Sequence, residues 1–339
     1  MGGKILVTGA SGLVGANLVR ALLEQGRQVR ALVHQDQRAL TGLDVETVSA
    51  DVRHQPSLEN AMAGVQVVYH LAGSISLMMD SGPQVKAVNQ LGTRHVVAAC
   101  LNAGVQRLVH FSSIEAVRQQ PLDQPLDEHR PLIDEGRTAA ELRHIPPYDL
   151  SKAQGEREVQ AGITRGLDAV IIRPTAMLGL YDYKPSYLGQ ALIQLAQGKI
   201  PALVTGGFNW VDVRDVVAGA VHAEHSAPMG AIYQLGGHWH TIRQVAGMAA
   251  SFTHHAAPLI AVPLWLADLF APLMLKLAHL NGSQPIYTRV TLTALRANRT
   301  VSSARAAQEL GYTSRPLEQT VRDTLTWFHQ QHYLNGEHP

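Results

Sequence analysis

Cysteine occurs once in the 339 residues, as Cys100. No disulfide can form within the chain, and the apolar setting HVVAACL points to a buried, unreactive thiol. Aromatic residues make up 5% and charged residues only 16%. No uncharged apolar run reaches the roughly 18 residues that a spanning helix needs, so no membrane span is expected. Charge of either sign is balanced, 28 Lys and Arg against 27 Asp and Glu, and no basic block forms a stripe. That excludes nucleic acid as a partner. No charged-then-apolar leader stands before the first apolar run, KILVTGA. With the single cysteine, this leads to an expected cytoplasmic setting. Low-complexity tracts and repeats of about 20 to 50 residues are also missing. Hydrophobic residues reach 46%, enough for one large core carrying a smaller lobe.

What is present is a rhythm of short, β-branched runs separated by helix-length segments. The runs are KILVTG, QVRALV, ETVSAD, VQVVYHLAG, RLVHFSS and DAVIIRP. Strands alternating with helices make right-handed crossovers and a parallel sheet covered on both faces. The expected fold is α/β, a doubly wound parallel sheet with a smaller C-terminal substrate lobe. Residues 1–175 are assigned to the sheet domain, with a later segment at about 205–225 returning to it. Residues 176–330 form mainly the lobe, with a helix near Tyr187 to Gln197, a strand near Ile232 to Leu235 and a helix near Ile242 to Ser251. Residues 331–339 are read as a frayed tail. Between Pro258 and Leu280 an apolar stretch is interrupted by Asp268, Lys276 and three prolines, which argues against a spanning helix.

Directly after the first run comes Thr8-Gly9-Ala10-Ser11-Gly12-Leu13-Val14-Gly15, where a helix opens. This spacing makes a dinucleotide turn, the Rossmann fingerprint. The first glycine permits the tight turn, the second lets backbone approach a pyrophosphate, and the third lets helix and strand pack closely. The helix N-terminus then offers unpaired N–H groups to the anion. At the end of the second strand, where an acid would hold the adenosine ribose of NAD, the chain reads Val33-His34-Gln35-Asp36. Arg30, His34 and Arg38 are placed to neutralise a 2′-phosphate, which favours NADP. NAD stays open if Asp36 reaches the ribose. Asp51-Val52 and Leu71-Ala72-Gly73 close the third and fourth strands and are expected at the adenine end.

Tyr148-Asp149-Leu150-Ser151-Lys152 sets a phenol and an ammonium four apart, on one face of a helix. The ammonium, with an oxidised nicotinamide's charge, is expected to pull the phenol's pKa down for general acid/base work. Ser113, ending RLVHFSS, is placed to hydrogen-bond a substrate oxygen.

Taken together, Gly9, Gly12, Gly15, Asp51, Asn89, Ser113, Tyr148, Lys152 and Arg173-Pro174 resemble the extended short-chain dehydrogenase/reductase family. Asn209 to Val216 and the segment from Asn298 to Phe328 resemble that family's later motifs. The resemblance implies that Tyr148 is the acid/base and that Lys152 also binds the nicotinamide ribose. It further implies that Ser113 orients the substrate oxygen, that Asn89 belongs to the cofactor site, and that Arg173-Pro174-Thr175 lines the nicotinamide end. A homodimer built on two long helices is the family expectation.

The polar, proline-marked insertion between Ser113 and Tyr148 resembles the dihydroflavonol-4-reductase-like and 3β-hydroxysteroid dehydrogenase-like branch, and suggests a flap. A dehydratase would carry an Asp-Glu pair directly after the strand-end hydroxyl. Here Ile114-Glu115 follows, and Glu115 is read as a helix-start acid. Leu264, Trp265, Leu266, Leu269, Phe270, Leu273, Met274 and Leu277 recur at helical spacing. At about 25 cal/mol per Å² such a wall would hold an apolar substrate, although a core or dimer stripe has the same pattern. The expected activity is NADP-dependent interconversion of a carbonyl and an alcohol on a mostly apolar small molecule. The alternative is a nucleotide-sugar epimerase with bound NAD, for which Arg289 and Arg296 would serve the diphosphate. The tightest histidine groupings, His238-Trp239-His240, His222 with His225, and His254-His255, have no accompanying ligand set, so no metal is expected.

Overall fold

The computed structural model describes residues 3–34, 36–253, 255–258, 260–271 and 288–334. In chain order the first part runs β1 (Lys4–Thr8), α1 (Leu13–Glu24), β2 (Val29–Val33), β3 (Glu46–Ser49), α2 (Gln55–Ala61), β4 (Val65–His70), α3 (Gly82–Lys86), α4 (Thr93–Ala103) and β5 (Arg107–Phe111). A π-helical turn, Ala87–Gly92, leads into α4. Then follow α5 (Ala139–Leu142), α6 (Pro147–Thr164), β6 (Ala169–Pro174), β7 (Ala176–Leu178), α7 (Tyr187–Ala196), β8 (Leu203–Val204), β9 (Gly207–Asp212), α8 (Val213–Ser226), β10 (Ile232–Leu235), β11 (His238–Thr241) and α9 (Ile242–Thr253).

All six β-branched runs become neighbours in one seven-stranded parallel sheet, ordered β10-β6-β5-β4-β1-β2-β3. Near-continuous burial of β1, β2, β4, β5 and β6 explains their lack of period-2 alternation, because both faces are covered, whereas β3 is the mostly exposed edge strand. One face packs Leu18, Val19 and Leu22 of α1 with Val213, Val216 and Ala220 of α8. The other packs Leu58 of α2, Val96 and Cys100 of α4 and Val159 of α6. Cys100 is fully buried, and burial pushes its thiol well above the ordinary range. The strand order reverses between β1 and β4, which opens a crevice at the carboxyl ends of those strands, where Thr8, His70 and Phe111 end their strands.

One expectation is corrected. The strand Ile232–Leu235, assigned to the lobe, extends the main sheet by pairing with β6, because Tyr233 and Leu235 bury into the face shared with α8. A three-stranded sheet is β11-β9-β7, with a core of Leu178, Leu192, Trp210, Val245, Leu325 and Phe328, and β8 pairs separately with Ala261–Val262. Of the apolar stripe, Leu264 packs inward, whereas Trp265, Leu269 and Phe270 are exposed. Leu273, Met274, Leu277, His254 and the tail beyond residue 334 lie outside the described residues. Among the described residues no helix is long and apolar enough to cross a membrane, and no three His, Cys, Asp or Glu gather around a metal-sized gap.

Candidate active site

Thr8 closes β1 and the chain then turns through Gly9 at φ +69°, a left-handed conformation that favours glycine. A Cβ on Gly9 would also stand 2.8 Å from the backbone nitrogen of Ala72. The Gly12 amide donates to Gly9 O at 3.1 Å, and Gly12 caps α1. No side chain caps that helix and no acid sits in its first turn. The N–H groups at the start of α1 are therefore left uncapped by any side chain or nearby acid, as an anion site requires. A Cβ on Gly15 would lie 2.2 Å from Gly9 O and 2.6 Å from Ala10 Cα. Gly15→Ala is expected to cost at least about 1–3 kcal/mol and to weaken dinucleotide binding, because helix and turn must separate. Urea unfolding and a fluorescence titration with NADPH measure both effects, and a variant matching the parent in each would contradict this.

The residues expected at the adenosine end are arranged differently from expectation. Arg30 sits near the amino end of β2, with Nε 2.8 Å from Glu46 Oε1 and Nη1 bonded to the carbonyls of Ala61 and Ala63. It is spent on the opposite edge of the sheet. Arg38 closes on Asp36 at 2.7 Å and holds that carboxyl below its usual range. Arg53, which the sequence reading passed over, grips Asp51 through two nitrogens and pulls its pKa to about 2. His34 stands 3.5 Å from Asp51 and is exposed. Val52 is buried, and its carbonyl faces His95 Nδ1 at 3.0 Å.

After β4, Leu71 N donates to Thr8 O and Ala72 N to Thr8 Oγ1, which ties this exit to the glycine turn. Beyond Gly73, Asn89 holds Ser74 from both sides. Its Oδ1 accepts from Ser74 N at 2.7 Å and its Nδ2 donates to Ser74 O at 2.9 Å. Both Asn89 side-chain atoms are thereby engaged within the protein.

Tyr148 and Lys152 occupy the first two turns of α6, which starts on Pro147. The buried Tyr148 phenol lies beside the Ser113 hydroxyl, which favours its ionised form. Ser113 Oγ accepts from Glu115 N at 3.2 Å. Lys152 Nζ donates to Phe111 O, the last residue of β5, at 2.6 Å. Phenol, ammonium and strand-end hydroxyl therefore meet at the carboxyl end of β5. Burial pushes the Lys152 ammonium down to about 8, with Glu156 opposing the shift. The phenol moves the other way. Burial raises it, the Ser113 hydroxyl opposes, and Asp149 and Glu115 add to the rise, so the expected lowering is not what this environment produces.

Glu115 does stand in the first turn of the short 3₁₀ helix Ile114–Ala116, but its carboxyl is no solvated helix-start acid. Burial holds it up at about 7, and it lies close enough to Asp149 to raise that buried carboxyl as well. Arg173 faces inward. It is 2% exposed, with Nε 3.1 Å from Glu156 Oε2 and Nη1 bonded to Glu128 O. Pro174 ends β6, and Thr175 is buried behind it. Arg296, offered for a diphosphate, is engaged by Asp268 and Leu292 O.

A chain built this way is an NAD(P)-dependent enzyme of the extended short-chain dehydrogenase/reductase class. It belongs to the NAD dependent epimerase/dehydratase family, whose model matches residues 5–236. It is 33% identical over 330 residues to sterol demethylase protein B of Methylococcus capsulatus, covering 96% of this chain and 98% of that protein. It is 29% identical over 339 residues to the 4-hydroxy-2-methyl-3-oxo-4-farnesyl-3,4-dihydroquinoline-1-oxide ketoreductase of Stigmatella aurantiaca, covering 95% of each. The crystal structure of gox2253 matches with a TM-score of 0.83 at 32% identity, over 98% of this chain and 99% of that one.

Proposed function

We propose that the chain is an NADP(H)-dependent oxidoreductase that interconverts a carbonyl and an alcohol on a mostly apolar small molecule, with Tyr148 as general acid/base. The observation that carries this reading is the meeting of the buried Tyr148 phenol and the Ser113 hydroxyl beside Lys152, whose ammonium is anchored on Phe111 O. When bound, the nicotinamide supplies or accepts the hydride. Ser113 holds the substrate oxygen, and Tyr148, kept protonated by burial, gives that oxygen its proton in the reducing direction. Lys152 then stabilises the phenolate that remains and holds the nicotinamide ribose. The glycine turn, with Thr8, Ser11, Leu13 and Val14, receives the pyrophosphate. Leu71 to Gly73, Asp51 and Val52 take the adenine end.

The 2′-phosphate preference rests on His34 and Arg38, with Arg53 as an addition. An exposed, solvent-screened ion pair such as Asp36–Arg38 contributes little, so a doubly charged phosphate competes for Arg38. The apolar substrate is supported by the exposed Trp265, Leu269 and Phe270, and by the sterol and farnesyl names of two relatives. A cytoplasmic homodimer packed through α4 and α6 completes the proposal, and light scattering that shows only monomer contradicts that part.

Purified protein is incubated with NADPH or NADH and a panel of ketones and aldehydes, then with UDP- and GDP-sugars. Oxidation of NADPH with apolar carbonyls alone is the expected result. Sugar interconversion without net cofactor turnover overturns it, and preference for NADH overturns the phosphate assignment. The rate of reduction is expected to fall as pH rises through about 8, where Lys152 loses its proton and the phenolate its support. Lys152→Arg, whose guanidinium stays charged, should lack that step. A wild-type profile flat across this range would exclude the assigned role.

A further inference from the structure

We propose that His70 is a positioning residue that joins the glycine turn and the catalytic helix in one hydrogen-bonded frame. The links are buried and continuous. Ala72 N donates to Thr8 Oγ1 at 3.1 Å, and Thr8 Oγ1 lies 2.8 Å from His70 Nδ1. His70 Nε2 lies 3.0 Å from Thr93 Oγ1, which donates to Asn89 O at 2.7 Å. Asn89 Nδ2 donates to Ser151 Oγ at 2.8 Å, and Ser151 Oγ donates to the backbone carbonyl of Tyr148 at 2.7 Å. The frame thus begins at the residue before Gly9 and ends on Tyr148 itself. Thr8, His70, Asn89, Thr93 and Ser151 are all buried.

The direction of these bonds defines the proton on His70. A hydroxyl has one hydrogen, and that of Thr93 is spent on a carbonyl. Thr93 Oγ1 can therefore only accept from the ring, so Nε2 carries the hydrogen. Thr8 Oγ1 already accepts from Ala72 N and gives its own hydrogen to Nδ1. A second ring proton would turn the Thr8 hydrogen away from its acceptor. The charge that Lys152 presents from α6 opposes that proton as well. Burial is the larger cause and takes the His70 pKa down to about 3. His70 is accordingly a neutral Nε2–H imidazole that accepts on the cofactor side and donates on the catalytic side.

This inference rests on the dinucleotide reading of the glycine turn, and the test separates the two. Nitrogen-detected NMR of the full-length wild type is expected to show the Nε2–H tautomer for His70, unchanged across about pH 5 to 8. An Nδ1–H tautomer, or titration near the ordinary value of about 6.5, overturns the proposal without any variant. His70→Asn keeps an acceptor toward Thr8 and gives up the donor toward Thr93. His70→Gln keeps the donor and gives up the acceptor. Asn is expected to lower kcat about five- to tenfold with the NADPH Kd unchanged, the scale of one lost hydrogen bond. Gln is expected to raise that Kd by a similar factor with kcat nearly held. Equal effects of both variants on both quantities would mark a merely structural histidine. Wild-type protein that binds neither NADPH nor NADH defeats the cofactor reading. Wild type that binds and turns over, with both variants indistinguishable from it, defeats only the role of His70.

Discussion

Tyr148→Phe is expected to lower kcat for carbonyl reduction by roughly 10²- to 10⁴-fold, the range that a positioned proton donor contributes. Binding of NADPH should stay unchanged, because the ring persists and only its hydroxyl is lost. The hydroxyl lies beside Ser113, and burial with Asp149 and Glu115 keeps it protonated, as the proposed donor must be. Steady-state kinetics beside a cofactor titration separate the two quantities. A variant with parental kcat would remove Tyr148 from the chemistry and leave a dinucleotide-binding protein whose Ser113 and Lys152 serve some other end. A variant that loses kcat and cofactor affinity together would instead point to a displaced α6.

The second large effect concerns Arg173. Its guanidinium and the Glu156 carboxylate are 2% and 0% exposed, and Nη2 meets Oε1 at 2.5 Å. Glu156 also accepts from Ser112 Oγ at 2.7 Å. Arg173→Met leaves that carboxylate buried without its cation, which costs about 3–5 kcal/mol when one partner of a buried pair is removed. The double replacement Arg173→Met with Glu156→Leu should recover much of the loss, because apolar groups of similar volume often replace a buried pair at little cost. Urea unfolding of the three proteins measures the coupling. A single variant within about 1 kcal/mol of the parent, the size of an exposed pair, would show that the guanidinium is not the carboxylate's main support. Arg173 thereby ties β6 to α6 through Glu156, one turn beyond Lys152 on the same helix face.

Two kinds of residue were legible at different levels. The β-branched runs, the glycine turn and the Tyr-x-x-x-Lys spacing are local patterns, and each became the expected element or helix face. The roles of Arg30, Arg38, Arg53 and Arg173 were not legible. A guanidinium takes the nearest carboxylate in space, and for Arg30 and Arg173 that partner comes from 16 and 17 positions away. The Glu115–Asp149 pair was hidden for the same reason, since the two acids come from separate segments that meet only when α6 packs beside β5. His70 did leave a signal, as the one imidazole at the end of the apolar run VQVVYH, but nothing local names Thr8 and Thr93 as its partners.

The order of the residues alone determined a doubly wound sheet and the place of its glycine turn, because periodicity and glycine geometry act over a few neighbouring positions. Packing decided everything that depends on charge and proton position. It drew Ile232–Leu235 into the main sheet, raised the phenol of Tyr148, lowered the ammonium of Lys152 and aligned the hydroxyls around His70. Desolvation and hydrogen-bond direction are properties of an enclosed space, and that space exists only after distant segments have closed around it.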